Sequence, residues 1–161
     1  MNPQRCCFTG HRKIAPSLLL PLAAQLDITL SALYQTGCLH FYAGGALGFD
    51  TLAAERTLLL RRAHPDIALH LLLPCRDQSR TWSEEDVWHY EMLLSQCDSY
   101  HFISEQYSES AMLLRNRALV EHADVCVAYM LRENSGTGHT VRAAKQAGLP
   151  VLNLADRLPR T

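Results

Sequence analysis

Lysine is almost absent from this chain. Its 161 residues include 15 lysines and arginines against 16 aspartates and glutamates, which gives a net charge of −1. Only Lys13 and Lys145 are lysines, so arginine supplies most of the positive charge. The planar guanidinium of arginine suits recognition of anions through two hydrogen bonds. Domains that bind nucleic acid usually carry a clear positive excess. We therefore expect nucleic acid not to be a partner.

Long apolar runs and targeting signals are also missing. A membrane-spanning helix needs about 20 consecutive apolar residues, and we expect no segment here to span a membrane. The first residues run directly into a strand-like segment, without the pattern of a signal peptide. The six cysteines and eight histidines show no metal-ligand spacing. These absences predict a cytoplasmic protein with reduced thiols and no metal site.

Two common nucleotide-binding fingerprints are missing as well. The chain has neither the G-x-G-x-x-G spacing nor the G-x-x-x-x-G-K-[ST] loop, which disfavours standard dehydrogenases and NTPases. It also has no internal repeat, linker or low-complexity tract. Because 48% of its residues are hydrophobic and 19% are charged, the composition is that of a globular protein. We expect a single domain over residues 1–161.

What the chain does have is a regular alternation of strand-like and helix-like segments. Residues 67–73 form an apolar run closed by Pro74, typical of a strand buried on both faces of a parallel sheet. Ser83 is a good N-cap for the helix that follows, and the last helix is expected over residues 140–147. Six strands alternating with five helices predict an α/β fold, a Rossmann-like doubly wound, mainly parallel sheet with helices on both faces. In such sheets ligands bind beyond the carboxyl ends of the strands, where the strand order reverses.

Two glycine-rich turns each lie between a predicted strand and a predicted helix. The first contains Gly44, Gly45 and Gly48 and ends at Asp50, and the second is Ser135-Gly136-Thr137-Gly138. Such a turn exposes backbone N–H groups at a helix N-terminus, where the helix dipole favours an anion. Together the turns predict a phosphate-bearing ligand, most simply a nucleotide. Asp50 either caps its helix or accepts hydrogen bonds from a ribose.

Two further groups of polar residues are candidates for ligand binding: one follows the first predicted strand, and the other lies on the helix before the fifth predicted strand. The turn Thr9-Gly10-His11-Arg12 combines a hydroxyl, a glycine and a cation, which suits a phosphate or a ribose. Arg115 and Arg117 stand two positions apart on one predicted helix, so they point to different faces. We expect Arg115, with its neighbour Asn116, to reach the ligand.

Two more side chains have two readings each. Trp82, at a helix entrance, either stacks on a nucleobase or packs against Trp88 or Tyr90. Arg142, one turn inside the last helix, either steadies an anion or lies on a solvated helix face.

Taken in order, these segments resemble the SLOG superfamily of Smf/DprA and LOG proteins, and most of all its YpsA-like branch. The resemblance covers nearly the whole chain and rests on residues 7–12 (CFTGHR), 42–55 (YAGGALGFDTLAAE), 82–85 (WSEE) with Tyr90, 112–117 (MLLRNR) and 135–138 (SGTG). It implies a Rossmann-like domain that holds a nucleotide-derived ligand at its strand ends and forms homo-oligomers.

The resemblance also implies two alternative activities. LOG-type relatives hydrolyse the N-glycosidic bond of cytokinin nucleotides with an arginine and a glutamate. Met112 and Arg115 match the arginine pattern, whereas Arg142 stands where the glutamate would be. An oxocarbenium-like transition state needs a carboxylate nearby, which Asp50 or Glu55 would have to supply. DprA-type relatives bind single-stranded DNA, which needs a basic groove.

We interpret the chain as a binding or sensing domain for a nucleotide or nucleotide-derived ligand, with no certain cofactor. The alternatives are a nucleotide phosphoribohydrolase, with Asp50, Glu55 and Arg115 as candidate catalytic residues, and a DprA-like single-stranded DNA-binding domain. The predicted ligand-binding residues are Thr9, Gly10, His11, Arg12, Gly44, Gly45, Gly48, Asp50, Trp82, Arg115, Asn116, Ser135, Gly136, Thr137 and Gly138.

Overall fold

The structure, a computed structural model, describes residues 2–160 and consists of alternating strands and helices. The strands are β1 (Arg5–Gly10), β2 (His40–Ala43), β3 (Ala68–Cys75), β4 (Ser99–Ser104), β5 (Val125–Tyr129) and β6 (Val151–Asn153). The helices are α1 (Leu19–Gln35), α2 (Phe49–Ala63), α3 (Glu84–Gln96), α4 (Glu109–Glu121) and α5 (Gly136–Gln146). Two short 3-10 helices, Pro16–Leu18 and Leu154–Arg157, precede α1 and follow β6.

The six strands form one parallel sheet in the order β4-β3-β2-β1-β5-β6. From β1 the chain builds outward through β2, β3 and β4, then crosses back and continues on the other side with β5 and β6. The strand order therefore reverses between β1 and β5, where Gly10 lies opposite Tyr129. The predicted Rossmann-like α/β fold is confirmed, and this reversal marks the expected ligand crevice.

The central strands of the sheet are buried on both faces because they alternate their side chains between two apolar layers. In β1, Cys6 and Phe8 point into a core formed with α1, α2 and α3, whereas Cys7 points into a second core formed with α4 and α5. All three side chains have no exposed surface. This two-sided burial explains why a central strand such as β5 is a continuous apolar run rather than an alternating one.

Helix α5 and strand β3 differ in their bounds from the sequence prediction. Helix α5 begins at Gly136 rather than at residue 140, because the Ser135 side chain caps it by accepting a hydrogen bond from the N–H of Gly138. The second glycine turn is thus the first turn of the helix. Strand β3 does not end before Pro74, since pairing with β4 continues to Cys75 opposite Ser104.

One helical segment, Pro16–Gln35, is long and apolar enough to cross a bilayer by length and composition alone. The expectation that no segment reaches that length overlooked it, because its apolar residues are interrupted by a few polar ones. In the fold, Leu22, Leu26 and Leu30 on the inner side of α1 are fully buried against the sheet. The segment is therefore a packed helix of the α/β core, and its composition alone does not make it a membrane span.

Replacing Leu26 by alanine should lower the free energy of unfolding by about 2–5 kcal/mol, because it removes a fully buried side chain and leaves a cavity. The control on the same helix is Ile28→Ala, since Ile28 is 60% exposed and should cost less than about 1 kcal/mol. Urea unfolding of both variants measures the difference. Equal losses would contradict the packing of α1 described above.

Candidate functional site

A cavity of about 470 Å³ opens at the carboxyl ends of the strands, where β1 and β5 separate. Its walls come from the turn after β1, the start of α2, one side of α4 and the turn before α5. It brings together ten of the predicted site residues: Thr9, Gly10, His11, Arg12, Asp50, Arg115, Asn116, Ser135, Gly136 and Thr137. The residues of four separate sequence segments thus meet at one place.

The N-terminus of α5 forms one wall of this cavity. Ser135 accepts the N–H of Gly138 through its side chain, at 3.0 Å, and the N–H of His139 through its carbonyl. The N–H groups of Gly136 and Thr137 belong to the first turn and have no partner within the helix. A Cβ atom on Gly138 would overlap the carbonyl of Glu133, whereas one on Gly136 would meet nothing. Gly138 therefore shapes the turn, and Gly136 lines the cavity.

The three glycines of the first turn support the site from behind, whereas Ala46 and Asp50 of the same turn line the cavity. Gly44 leaves room for the Arg115 guanidinium, because a Cβ atom there would stand 2.5 Å from Arg115 Nη1. Gly48 has a φ of 79° and packs against the Arg12 carbonyl, so no other residue fits there without strain. Gly45 lies against Leu73. The predicted role of these glycines at a phosphate stays a prediction.

Arg115 and Asp50 place two buried, opposite charges near each other at the floor of the cavity. Arg115 is 4% exposed, donates from Nη1 to the Gly44 carbonyl, and donates from Nε to Asn116 Oδ1 at 2.8 Å. Burial lowers the pKa of Arg115, and the charge of Asp50 opposes this; the guanidinium stays protonated. Arg117 is exposed, so the two arginines do face different ways.

Asp50 does not cap α2 but ties the glycine turn together. Its Oδ2 accepts the N–H of Ala46 at 3.3 Å, and its residue is 5% exposed. Burial raises the pKa of the Asp50 carboxyl above its ordinary value, while Arg115, the Ala46 N–H and Arg12 act in the opposite direction. Asp50 is the one carboxylate that lines this cavity within residues 2–160.

Glu55, the other candidate carboxylate, lies elsewhere. It is on α2, lines a separate groove between α2 and α3, and contacts His89 Nδ1 at 2.8 Å. The structure therefore does not bring it to the cavity, and a hydrolytic role in this site would fall to Asp50.

Trp82 lines a second, smaller cavity of about 240 Å³ beside the first. Its ring packs edge-on against Tyr90, with the ring centres 5.4 Å apart. Arg12 and Met112 line both cavities, so the two spaces adjoin. The exposed ring of Tyr107 stands at the second cavity too.

The walls of the two cavities carry more positive than negative charge. Their lining side chains include five cations, Arg12, Lys13, Arg80, Arg115 and Arg132, and two carboxylates, Asp50 and Asp77. The chain as a whole is nearly neutral. The field at the strand ends is therefore positive although the net charge is not.

Sequence reasoning missed several residues of the site. Lys13 and Arg132 line the main cavity, and Met112 lines both. Lys13 follows the turn after β1, and Arg132 precedes the second glycine turn. In a doubly wound sheet, residues at these positions lie near the ligand crevice, so the predicted fold could have indicated them. Met112 appeared only as part of the family resemblance, and no residue pattern showed that its side chain reaches the cavities.

The chain belongs to the YspA SLOG family, whose model matches residues 17–148. It is 29% identical over 122 residues to the SPbeta prophage-derived protein YoqJ of Bacillus subtilis (strain 168), covering 68% of this chain and 71% of YoqJ. It is 30% identical over 122 residues to a UPF0398 protein of Bacillus thuringiensis (strain Al Hakam), covering 74% of this chain and 66% of that protein. The chain thus spans about two thirds of the length of these relatives.

Solved structures of DNA processing protein A share the fold. The Helicobacter pylori protein, described by its single-stranded DNA binding mode, superimposes with a TM-score of 0.64 at 21% identity, covering 93% of this chain and 64% of its own. The Streptococcus pneumoniae protein gives a TM-score of 0.65 at 16% identity, covering 91% and 48%. At these identities the likeness establishes the fold.

The prediction that excluded nucleic acid as a partner is wrong. A protein with this fold binds single-stranded DNA, so neither the fold nor a near-zero net charge rules that partner out. The physical reason is local: binding responds to the charge around the site, and here five cations face two carboxylates.

Replacing Gly138 by alanine should destabilise the domain, because the added Cβ would overlap the Glu133 carbonyl. We expect a loss of about 1–3 kcal/mol in the free energy of unfolding, the usual cost of overpacking. Gly136→Ala is the matched control, since its Cβ would meet nothing and alanine is the better helix former. Thermal melts of both variants measure the loss of stability. A loss in Gly136→Ala as large as that in Gly138→Ala would contradict the geometry.

Proposed function

We propose that the domain binds a nucleotide or a nucleotide-derived ligand in the cavity between β1 and β5. The observation that carries the proposal is the N-terminus of α5, whose residues Ser135, Gly136 and Thr137 line a positively charged cavity of about 470 Å³ at the point where the strand order reverses. Ligands of doubly wound sheets bind at this place, and the volume suits a small molecule of nucleotide size.

The phosphate groups would lie at the start of α5. Gly136 and Thr137 supply backbone donors, and the helix dipole adds a partial positive charge. The side chains of Arg12 and Arg132 line the same space and supply full charges. Hydrogen bonds between these cations and an anion are about twice as strong as neutral ones. The site would therefore favour an anionic ligand.

The rest of the ligand would extend across the floor of the cavity. Asp50 would accept hydrogen bonds from ribose hydroxyls, since it lines the same cavity. The adjoining cavity offers Trp82 and Tyr107 for a base. The domain would act by holding this ligand, in agreement with the binding or sensing interpretation.

ADP-ribose should bind to the purified chain, and Arg132→Gln should weaken its dissociation constant about tenfold or more by removing a charged donor. Arg157→Gln is the control, because Arg157 is exposed on the 3-10 helix after β6 and lines neither cavity. Titration calorimetry measures both. Equal weakening by the two variants, or no binding of ADP-ribose, AMP or NAD, would contradict the proposal.

The same samples separate binding from hydrolysis. Incubation with AMP followed by chromatography detects free adenine, which a phosphoribohydrolase would release and a binding domain would not. Asp50→Asn tests such a release, since Asp50 is the carboxylate that lines the main cavity.

Single-stranded DNA is the second candidate ligand, and one observation favours it. The two adjoining cavities form a path lined by arginines with an exposed tyrosine beside it, and single strands are bound by positive grooves with aromatic rings on which bases stack. Tyr107 is 53% exposed, so its ring is available for stacking.

Oligothymidylate binding tests this second candidate. Tyr107→Ala should lower the affinity by about 1–3 kcal/mol if a base stacks there, and Tyr100→Ala is the control, since Tyr100 is equally exposed but lies on β4 outside both cavities. Arg80→Gln should reduce the salt slope of log K by about 0.7. An affinity that does not change with salt concentration, or equal losses of affinity in Tyr107→Ala and Tyr100→Ala, would contradict DNA binding at this site.

A further inference from the structure

His11 stands where three elements of the fold meet. Its backbone N–H donates to the carbonyl of Tyr129 at the end of β5, at 3.2 Å, and its carbonyl accepts the N–H of Phe49 at the start of α2, at 3.1 Å. The residue is 8% exposed and still lines the main cavity. Its ring lies edge-on to the Tyr129 ring, with the centres 5.8 Å apart. The imidazole is therefore held in one place from several sides.

The imidazole of His11 accepts hydrogen bonds from the turn between β5 and α5. His11 Nε2 lies 2.7 Å from the backbone nitrogen of Leu131 and 3.3 Å from that of Arg132. Backbone N–H groups only donate, so Nε2 has to act as an acceptor and carries no proton. The ring is thus the neutral tautomer with its proton on Nδ1, and a second proton on Nε2 would remove this contact.

A second contact holds the same turn from the opposite side without a titratable group. The Asn153 side chain at the end of β6 accepts the N–H of Met130 and donates to the Met130 carbonyl, both at 3.0 Å. The turn that leads into α5 is therefore held by the Asn153 amide, which does not titrate, and by the His11 imidazole, which does. The Ser135 hydroxyl and Arg142 also donate to the carbonyls of Arg132 and Glu133 in this turn.

We propose that His11 is a proton-sensitive positioning residue of the ligand site. In its neutral form it holds Leu131 and Arg132 so that the Arg132 side chain and the start of α5 face the cavity, and protonation of Nε2 releases this turn. The link to a ligand rests on the proposed function, whereas the contact itself does not.

The surroundings of His11 favour the neutral form. Burial lowers the pKa of His11 from its ordinary value, and the positive charge of Arg132 acts in the same direction. The charged or titratable groups that share the cavity or pack on the ring are Arg12 and Lys13 on its own turn, Asp50 on α2, Arg115 on α4, Tyr129 on β5 and Arg132 on the following turn. The contact is therefore complete at neutral pH and is lost as the pH falls through the lowered pKa.

Amide hydrogen exchange by NMR tests the contact without any ligand. Between pH 7.5 and 5, the protection factors of the Leu131 and Arg132 amides should fall about tenfold as the His11 ring titrates. In His11→Gln, a side-chain oxygen replaces Nε2 as acceptor and cannot be protonated, so protection should not depend on pH. Asn153→Leu is the matched control: it should lower protection of Met130 at every pH and leave the pH dependence at Leu131 in place.

Three results would overturn the proposal. They are a Leu131 protection factor that stays constant while the ring titrates, a His11→Gln variant that loses protection in acid as the wild type does, and ring nitrogen shifts that place the proton on Nε2 at pH 7.5. The last result needs no variant, so it decides even if a substitution prevents folding.

ADP-ribose then tests the positioning role at pH 7.5, where the wild-type ring is neutral. His11→Leu should weaken binding about tenfold, and His11→Gln, which keeps an acceptor for the turn, should recover most of that loss. Equal affinity of wild type and His11→Leu would overturn the positioning role. If ADP-ribose binds to none of the proteins, the proposed function fails in this form, while the amide protection still decides whether His11 holds the turn.

Discussion

The site depends on one buried cation. The Arg115 guanidinium enters from α4, on one side of the sheet, and contacts the Gly44 carbonyl and the surroundings of Asp50, which belong to the turn leading into α2 on the other side. A charge buried to this degree needs a partner charge and hydrogen bonds around it. Asp50, Asn116 and the Gly44 carbonyl provide them, so the two helical layers meet in a fixed arrangement at the strand ends.

This requirement accounts for the glycines of the first turn. A side chain on Gly44 would occupy the space of Arg115, and one on Gly48 would occupy that of the Arg12 carbonyl. The turn is glycine-rich because three segments approach it closely, and it brings Asp50 and Arg12 to the cavity as a consequence. The second turn is different, since Gly136 has open space beside it and lies on the cavity wall.

The fold was largely readable from the sequence because its signals are local. Continuous apolar runs bounded by turn residues, such as residues 67–73, favour strands buried on both faces, and that run lies in β3 apart from its first residue. The start of α5 was misplaced because a glycine pair reads as a turn, and only the hydrogen bond from Gly138 to Ser135 shows that it is helical. The grouping of ten predicted residues in one cavity follows from the topology, since the parallel strands all end at this edge. The contacts of Gly44 with Arg115 and of His11 with Leu131 join residues far apart in the chain, and no spacing rule reports them.

Net charge was the weakest guide to the partner, because it averages over the whole chain and a ligand responds to the charge near its site. A sum over the whole chain sets the positive charge of Arg132 in the cavity against carboxylates that lie elsewhere, such as Glu55 in the groove between α2 and α3. What a ligand meets is the uncompensated charge within about one Debye length of its site, roughly 8 Å at physiological salt. There the cations outnumber the carboxylates, and the α5 dipole adds to them. A nucleotide and a single strand of DNA both present phosphate to this field, so the electrostatics select an anion, and the discrimination between the two rests with the shape of the walls and the aromatic rings beside them.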